Sequence, residues 1–161
     1  MKTPLMLLTF TWMFLGGCAV TGPTAGRTHP DPALADDLAA VRKLFADNAA
    51  ALSAGDTSAL ARFYTADAIQ FPPNSPALIG WEAIRSKLES ELKGIKVAAT
   101  VKVTEVVIAG DWTFARGTYR MVTTPQGGGE QTVAAGNWLD VLKRQPDRSW
   151  KIARSTWTIE E

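Results

Sequence analysis

Apolar residues in the first half of the domain return with a helical period, and in the second half with a period of two. Leu34, Leu38, Val41, Phe45 and Leu52 are spaced by three, four and seven residues, which predicts one face of a long amphipathic helix. Asp31-Pro32 supplies its start, an N-cap oxygen followed by proline in the first turn, and Gly55 its stop. Asp56 caps a second helix that buries Leu60, Phe63 and Tyr64. Ala68-Ile69-Gln70-Phe71 reads as a short strand. The prolines of Pro72-Pro73-Asn74-Ser75-Pro76 make the next stretch a loop, because they cannot donate to a ladder. A third helix is expected from about Trp81 to Lys93, with Ile84, Leu88 and Leu92 on one side and Gly94 ending it.

Val97, Ala99, Val101 and Val103 then alternate with polar residues such as Lys96, Lys102 and Thr104. The apolar parity switches at Glu105, since Val106 and Ile108 follow it. A one-residue switch inside a long strand predicts a β-bulge, which bends a sheet. Gly110-Asp111 turns the chain into a strand from Trp112 to Thr123. Gln126-Gly127-Gly128-Gly129-Glu130 is a hairpin loop, and not a phosphate loop, because no helix start follows it. Strands from about Thr132 to Arg144 and Trp150 to Ile159 complete the chain, with a turn at Pro146-Asp147-Arg148 between them. Three helices followed by an antiparallel meander is an α+β order. A bent sheet wrapped on one long helix leaves a cone with a cavity at one end.

The N-terminus carries a different signal. Met1-Lys2 is a short positive start, and Leu5 to Leu15 is apolar apart from Thr9 and Thr11, the pattern of an export signal too short to stay as a membrane span. Leu15-Gly16-Gly17-Cys18 resembles the lipobox of bacterial lipoproteins. The resemblance implies removal of residues 1–17, lipidation of Cys18, and attachment to a membrane through two or three acyl chains. An ordinary secretory signal ending in a cysteine is the other reading. Cys18 is the single cysteine of the 161 residues, so it has no disulfide partner within the chain. Ala19, not Asp, follows it, which in a Gram-negative host fits the periplasmic face of the outer membrane. Residues 18–31 read as lipidated cysteine and tether, rich in Thr, Gly and Pro, and residues 32–161 as the domain.

Charge and composition narrow the chemistry. The 17 basic and 16 acidic residues balance without a basic cluster, which argues against nucleic acid as a partner. The one histidine, His29, lies in the tether. The domain therefore has neither histidine nor cysteine, which removes Ser-His-Asp and Cys-His catalysis and the usual zinc sites. No metal or cofactor site is expected, and acid–base work falls to Asp, Glu, Lys or Tyr. Arg116, Arg120 and Arg154 lie in strands, where such side chains mostly reach out to solvent.

Gly55-Asp56 with Leu60, Tyr64 and Thr65-Ala66-Asp67-Ala68, then Pro72-Pro73 and Gly80, resembles the first half of the NTF2-like superfamily. Gly110-Asp111-Trp112, Arg116-Gly117-Thr118-Tyr119, Gly136, and Trp150-Lys151-Ile152-Ala153-Arg154 before Trp157 match the second half. Together they look most like the SnoaL-like family called DUF4440, over about residues 34–159. The resemblance implies an α+β cone, three N-terminal helices on a curved antiparallel sheet.

Ketosteroid isomerases of this superfamily use a carboxylate base and two acidic donors to an enolate oxygen. The resemblance puts their base at Pro72, their oxyanion tyrosine at Asn48 and their second donor at Asp140. Tyr64 and Trp157 match aromatic residues of the same pocket. Alternation puts Trp138, Asp140 and Leu142 on one strand face. If it lines the cone, Asp140 is a buried carboxyl with a raised pKa and a candidate acid. If not, it is a solvated charge beside Arg154 or Lys143. Asn48, Tyr64, Phe71, Trp112, Trp138, Asp140 and Trp157 are the pocket-lining candidates, although such aromatics more often serve as core.

Three functions remain open. One is a tethered module that holds a small apolar or amphipathic ligand in the cone, or pairs with a partner, including a second copy, through the outer sheet face. The second is an enzyme of the SnoaL or ketosteroid-isomerase kind using Asp140. The third is a structural dimer subunit of the cell envelope with a filled cone.

Overall fold

The computed structural model describes residues 32–160. The expected signal peptide, lipidated Cys18, tether, Asp31 cap and His29 lie outside the described residues. Among the described residues no helix is long and apolar enough to cross a membrane.

Helix α1 spans Pro32–Ala54, about 35 Å at 1.5 Å per residue. Its buried side is Val41, Leu44, Phe45, Ala49 and Ala51. Leu34, expected on that stripe, is 40% exposed. Gly55 ends the helix in the left-handed region (φ +69°), where glycine carries no Cβ penalty. Helix α2 (Thr57–Leu60) follows, capped by the Asp56 carboxylate accepting from the Ala59 N–H at 2.8 Å. A 3-10 turn, Ala61–Phe63, leads into β1 (Tyr64–Phe71). The remaining elements are β2 (Leu78–Ile79), α3 (Trp81–Leu92), β3 (Ile95–Ala109), β4 (Trp112–Pro125), β5 (Thr132–Arg144) and β6 (Trp150–Trp157).

The six strands form one sheet in the order β2-β1-β6-β5-β4-β3. The sheet is mixed, not purely antiparallel: β1 runs parallel to β6, and every other pairing is antiparallel. The parallel step is available because α3 and the whole β3–β5 meander separate the two strands in sequence, and a parallel pair needs a long connection. Strand β1 starts at Tyr64, four residues earlier than the apolar pattern suggested.

The bulge expected in β3 sits between Val103, opposite Gly117, and Glu105, opposite Arg116. Thr104 is the extra residue, and its hydroxyl donates to the Arg116 carbonyl at 3.0 Å. An extra residue of this kind bends the strand and raises its twist. A Cβ on Gly117 would lie 1.9 Å from the Lys102 carbonyl oxygen, so only glycine fits. A second irregularity lies between Tyr64 and Ile69, which face Ile152 and Arg154. Thr65–Ala68 loops out of register there, and the Arg154 guanidinium donates to the Asp67 carbonyl at 3.2 Å.

Helix α1 lies across the concave face, with Val41, Leu44 and Phe45 in one core with Trp138, Leu142, Trp150 and Ile152. The Ser53 hydroxyl accepts from the Ala99 N–H at 2.9 Å, fastening the helix to edge strand β3. At its other end Asp37 accepts both nitrogens of the Arg144 fork at 2.7 and 2.6 Å. The Trp150 indole also donates to Asp37, at 3.3 Å. The guanidinium holds the Asp37 carboxyl below the usual carboxylate range.

Candidate functional site

Sheet register assembles the site. One cross-strand row on the concave side runs Ala115 (β4), Asp140 (β5), Ser155 (β6), Gln70 (β1), and all four are buried. Three consecutive polar residues in a row that faces a helix are costly unless they are used. The neighbouring inward row is Gly117, Trp138, Trp157.

Asp140 is 6% exposed. Burial pushes its carboxyl up to about 7, and a hydrogen bond from Ser155 pulls the other way. One carboxyl oxygen, Oδ1, has no hydrogen-bond partner. The Tyr64 hydroxyl receives a long hydrogen bond, 3.4 Å, from Gln70 Nε2. Burial and then the charge of Asp140 push that phenol up to about 12, opposed by the nearby Asn48 and Gln70 amides. Asn48 comes from α1, one turn after Phe45 and Leu44, and its buried Nδ2 is also unpartnered. Thr65 Oγ1 is the third such atom. Asp140, Tyr64, Asn48, Gln70 and Ser155 thus form one polar cluster in an apolar cone.

Trp138 stands on the inner face, packed on Phe45 with ring centroids 4.4 Å apart, and its indole N–H donates to the Thr118 carbonyl at 3.1 Å. Trp157 pairs directly with it in register and is half-buried. Phe71 and Trp112 lie on the other side of the sheet, 49% and 44% exposed. Phe71 follows inward Gln70, and Trp112 precedes buried Thr113, so the pleat turns both outward. Lys143 covers the Trp112 ring at 5.4 Å. Gln70 and Ser155 were not singled out as site residues from the sequence. Alternation with buried Ala68 was the available signal for Gln70, but only the parallel β1–β6 register brings it beside Ser155.

Two recesses open on the surface of the described residues. The larger, about 890 Å³, runs along α1 past Leu44, Ala51, Phe63 and Trp150. The smaller, about 310 Å³, is bounded by Tyr64, Trp81 and Lys151. Asp140 lines neither. Among the described residues no group of three or more acidic, histidine or cysteine side chains is arranged to hold a metal ion.

Solved structures share this architecture. A ketosteroid isomerase-like protein from Erwinia carotovora atroseptica superposes with a TM-score of 0.70 at 24% identity, covering 78% of this chain and 98% of that one. A conserved protein from Planctomyces limnophilus gives 0.72 at 22% identity, over 79% and 99%. A nuclear transport factor 2 (NTF2-like) superfamily protein from Salmonella enterica serovar Typhimurium gives 0.72 at 10%, over 80% and 94%. At these identities the likeness is one of fold. No curated protein matches the sequence. A family model described as a SnoaL-like domain matches residues 33–156, nearly all of the domain just described, and the chain therefore belongs to the SnoaL-like family.

Proposed function

We propose that the domain binds a small apolar or amphipathic molecule in its cone and holds one polar atom of that molecule at Asp140 and Asn48. The observation that carries this is the set of buried polar atoms without partners, Asp140 Oδ1 and Asn48 Nδ2, in a cluster otherwise walled by Trp138 and Trp157. A buried polar group left unpaired costs about 1–3 kcal/mol, and a ligand oxygen accepting from both would recover it. With its carboxyl near 7, Asp140 carries a proton in half or more of the molecules at and below neutral pH and can donate.

The same carboxyl supports a second reading, acid–base isomerisation of the SnoaL or ketosteroid-isomerase kind. Pro72 weighs against it. It follows β1 directly and its side chain has no group that can accept or give a proton, so the base of the isomerases is missing from its place. Native mass spectrometry of gently extracted protein tests the binding reading: a small molecule should travel with the chain and be lost in Asp140→Leu. Empty protein after extraction, and no uptake of any apolar ketone or alcohol offered, would sink it. Asp140→Asn separates the two readings, since an enzyme loses turnover while a binder keeps most of its affinity.

We further propose that the protein is a membrane-anchored lipoprotein and pairs with a second copy through its outer sheet face. The anchor rests on Leu15-Gly16-Gly17-Cys18; Cys18→Ala should move the protein from the membrane fraction to the soluble one. The pairing rests on two outward rows, Ile69-Arg154-Val141-Phe114-Val107 and Phe71-Thr156-Leu139-Arg116-Glu105. Val107, Phe114, Leu139 and Phe71 are exposed there, an apolar patch of the kind a twofold interface covers.

A further inference from the structure

The smaller recess has features of its own. Its aromatic wall is Tyr64 stacked on Trp81, centroids 5.4 Å apart at 23°. Ala61 and Ala66 keep it open, and its volume of about 310 Å³ is at the small end for ligand sites, enough for one ring and a substituent. Two charged residues line it. Glu82 is occupied, because Arg85 donates to its carboxylate at 2.6 and 3.1 Å. Lys151 is half-buried and lines the larger recess as well; its charge acts on Asp147, but it makes no ion pair among the described residues.

Tyr64 belongs to this recess by its ring and to the interior by its hydroxyl, which Gln70 reaches. The adjoining segment Thr65–Ala68 is looped out of register with β6. Its Ala66 lines the recess, while the next residue back, Thr65, is 6% exposed.

We propose that this recess is a binding site for a small planar anion, an aromatic or conjugated carboxylate. Its flat face packs against the Trp81–Tyr64 pair and its charge is met by Lys151. Flatness is selected because aromatic stacking needs a π face. Negative charge is selected because the cation lining the recess is unpaired while the carboxylate lining it is already bound. The site stands apart from the interior one and does not depend on it.

Benzoate is the probe, with benzyl alcohol as the uncharged analogue and cyclohexanecarboxylate as the non-planar one. Proton–nitrogen NMR of the full chain, read at the Trp81 indole and at the Ala66 and Gly80 backbone amides that line the recess in every variant, should show saturable benzoate binding, at least tenfold tighter than either analogue. Lys151→Gln and Trp81→Leu should each weaken it tenfold or more, and Trp81→Phe should restore most of the loss. Lys143→Gln, on the neighbouring strand beside Trp112, should leave it unchanged. Asp140→Asn should also leave benzoate binding intact, which separates this site from the one in the cone. No shift of the Trp81 indole at tens of millimolar benzoate overturns the proposal. So does equal binding of the analogues, or wild-type affinity in Lys151→Gln with native circular dichroism.

Discussion

Asp140→Asn should make the protein more stable in base and leave it unchanged in acid. Burial raises the Asp140 carboxyl from its ordinary 3.8 to about 7. The unfolded chain gives up this proton near pH 4, while the folded chain keeps it until about 7. Between those values the unfolded state binds fewer protons, so stability falls as pH rises, and it levels off above 7. A rise of roughly three pH units, at 1.36 kcal/mol each, is on the order of 4 kcal/mol at pH 8 and nearly nothing at pH 4. Asparagine keeps the size and the neutral hydrogen bond to Ser155 without the charge. Urea unfolding of both proteins, followed by tryptophan fluorescence from pH 4.5 to 9, should give curves that coincide in acid and separate by several kcal/mol in base. A difference that stays flat across that range would mean that Asp140 ionises as a solvated carboxylate, and the buried polar cluster would lose its basis.

Gly117→Ala should cost about 3 kcal/mol, a fall of roughly 10 °C in Tm, because its Cβ meets the Lys102 carbonyl oxygen at 1.9 Å and Trp138 Cζ2 at 2.9 Å and the backbone must move; a Tm within 2 °C of wild type would contradict the sharp bend. Asp37→Ala should cost about 2 kcal/mol, less than a fully buried pair, since both side chains keep 17% exposure; chemical denaturation checks it, and Arg144→Ala should not add the same loss again. Phe114→Arg should halve the solution mass seen by light scattering while far-ultraviolet circular dichroism stays native, if the outer face is the self-association surface; unchanged mass removes that proposal.

The family and most elements were legible in the sequence because local rules decide them. Gly55 and Asp56 mark a helix stop and a helix start by backbone freedom and side-chain capping alone. The parity switch at Glu105 announced the bulge that bends β3, since a strand's faces alternate strictly and one extra residue must swap them. The same alternation grouped Trp138, Asp140 and Leu142 on one face. What alternation does not say is which face is the inner one, and Phe71 and Trp112 show the consequence. Both are aromatic residues in strands, yet each is one position out of phase with the concave side.

Tertiary structure alone decided the site. Gln70 and Ser155 are far apart in the chain and meet only because β1 lies parallel to β6 in one register. Slipping that register by one residue would put Phe71 inside and Gln70 in water. The raised pKa of Asp140 is likewise absent from its neighbours in sequence, Leu139 and Val141. It comes from α1 covering the concave face and removing the water that would otherwise hold the charge.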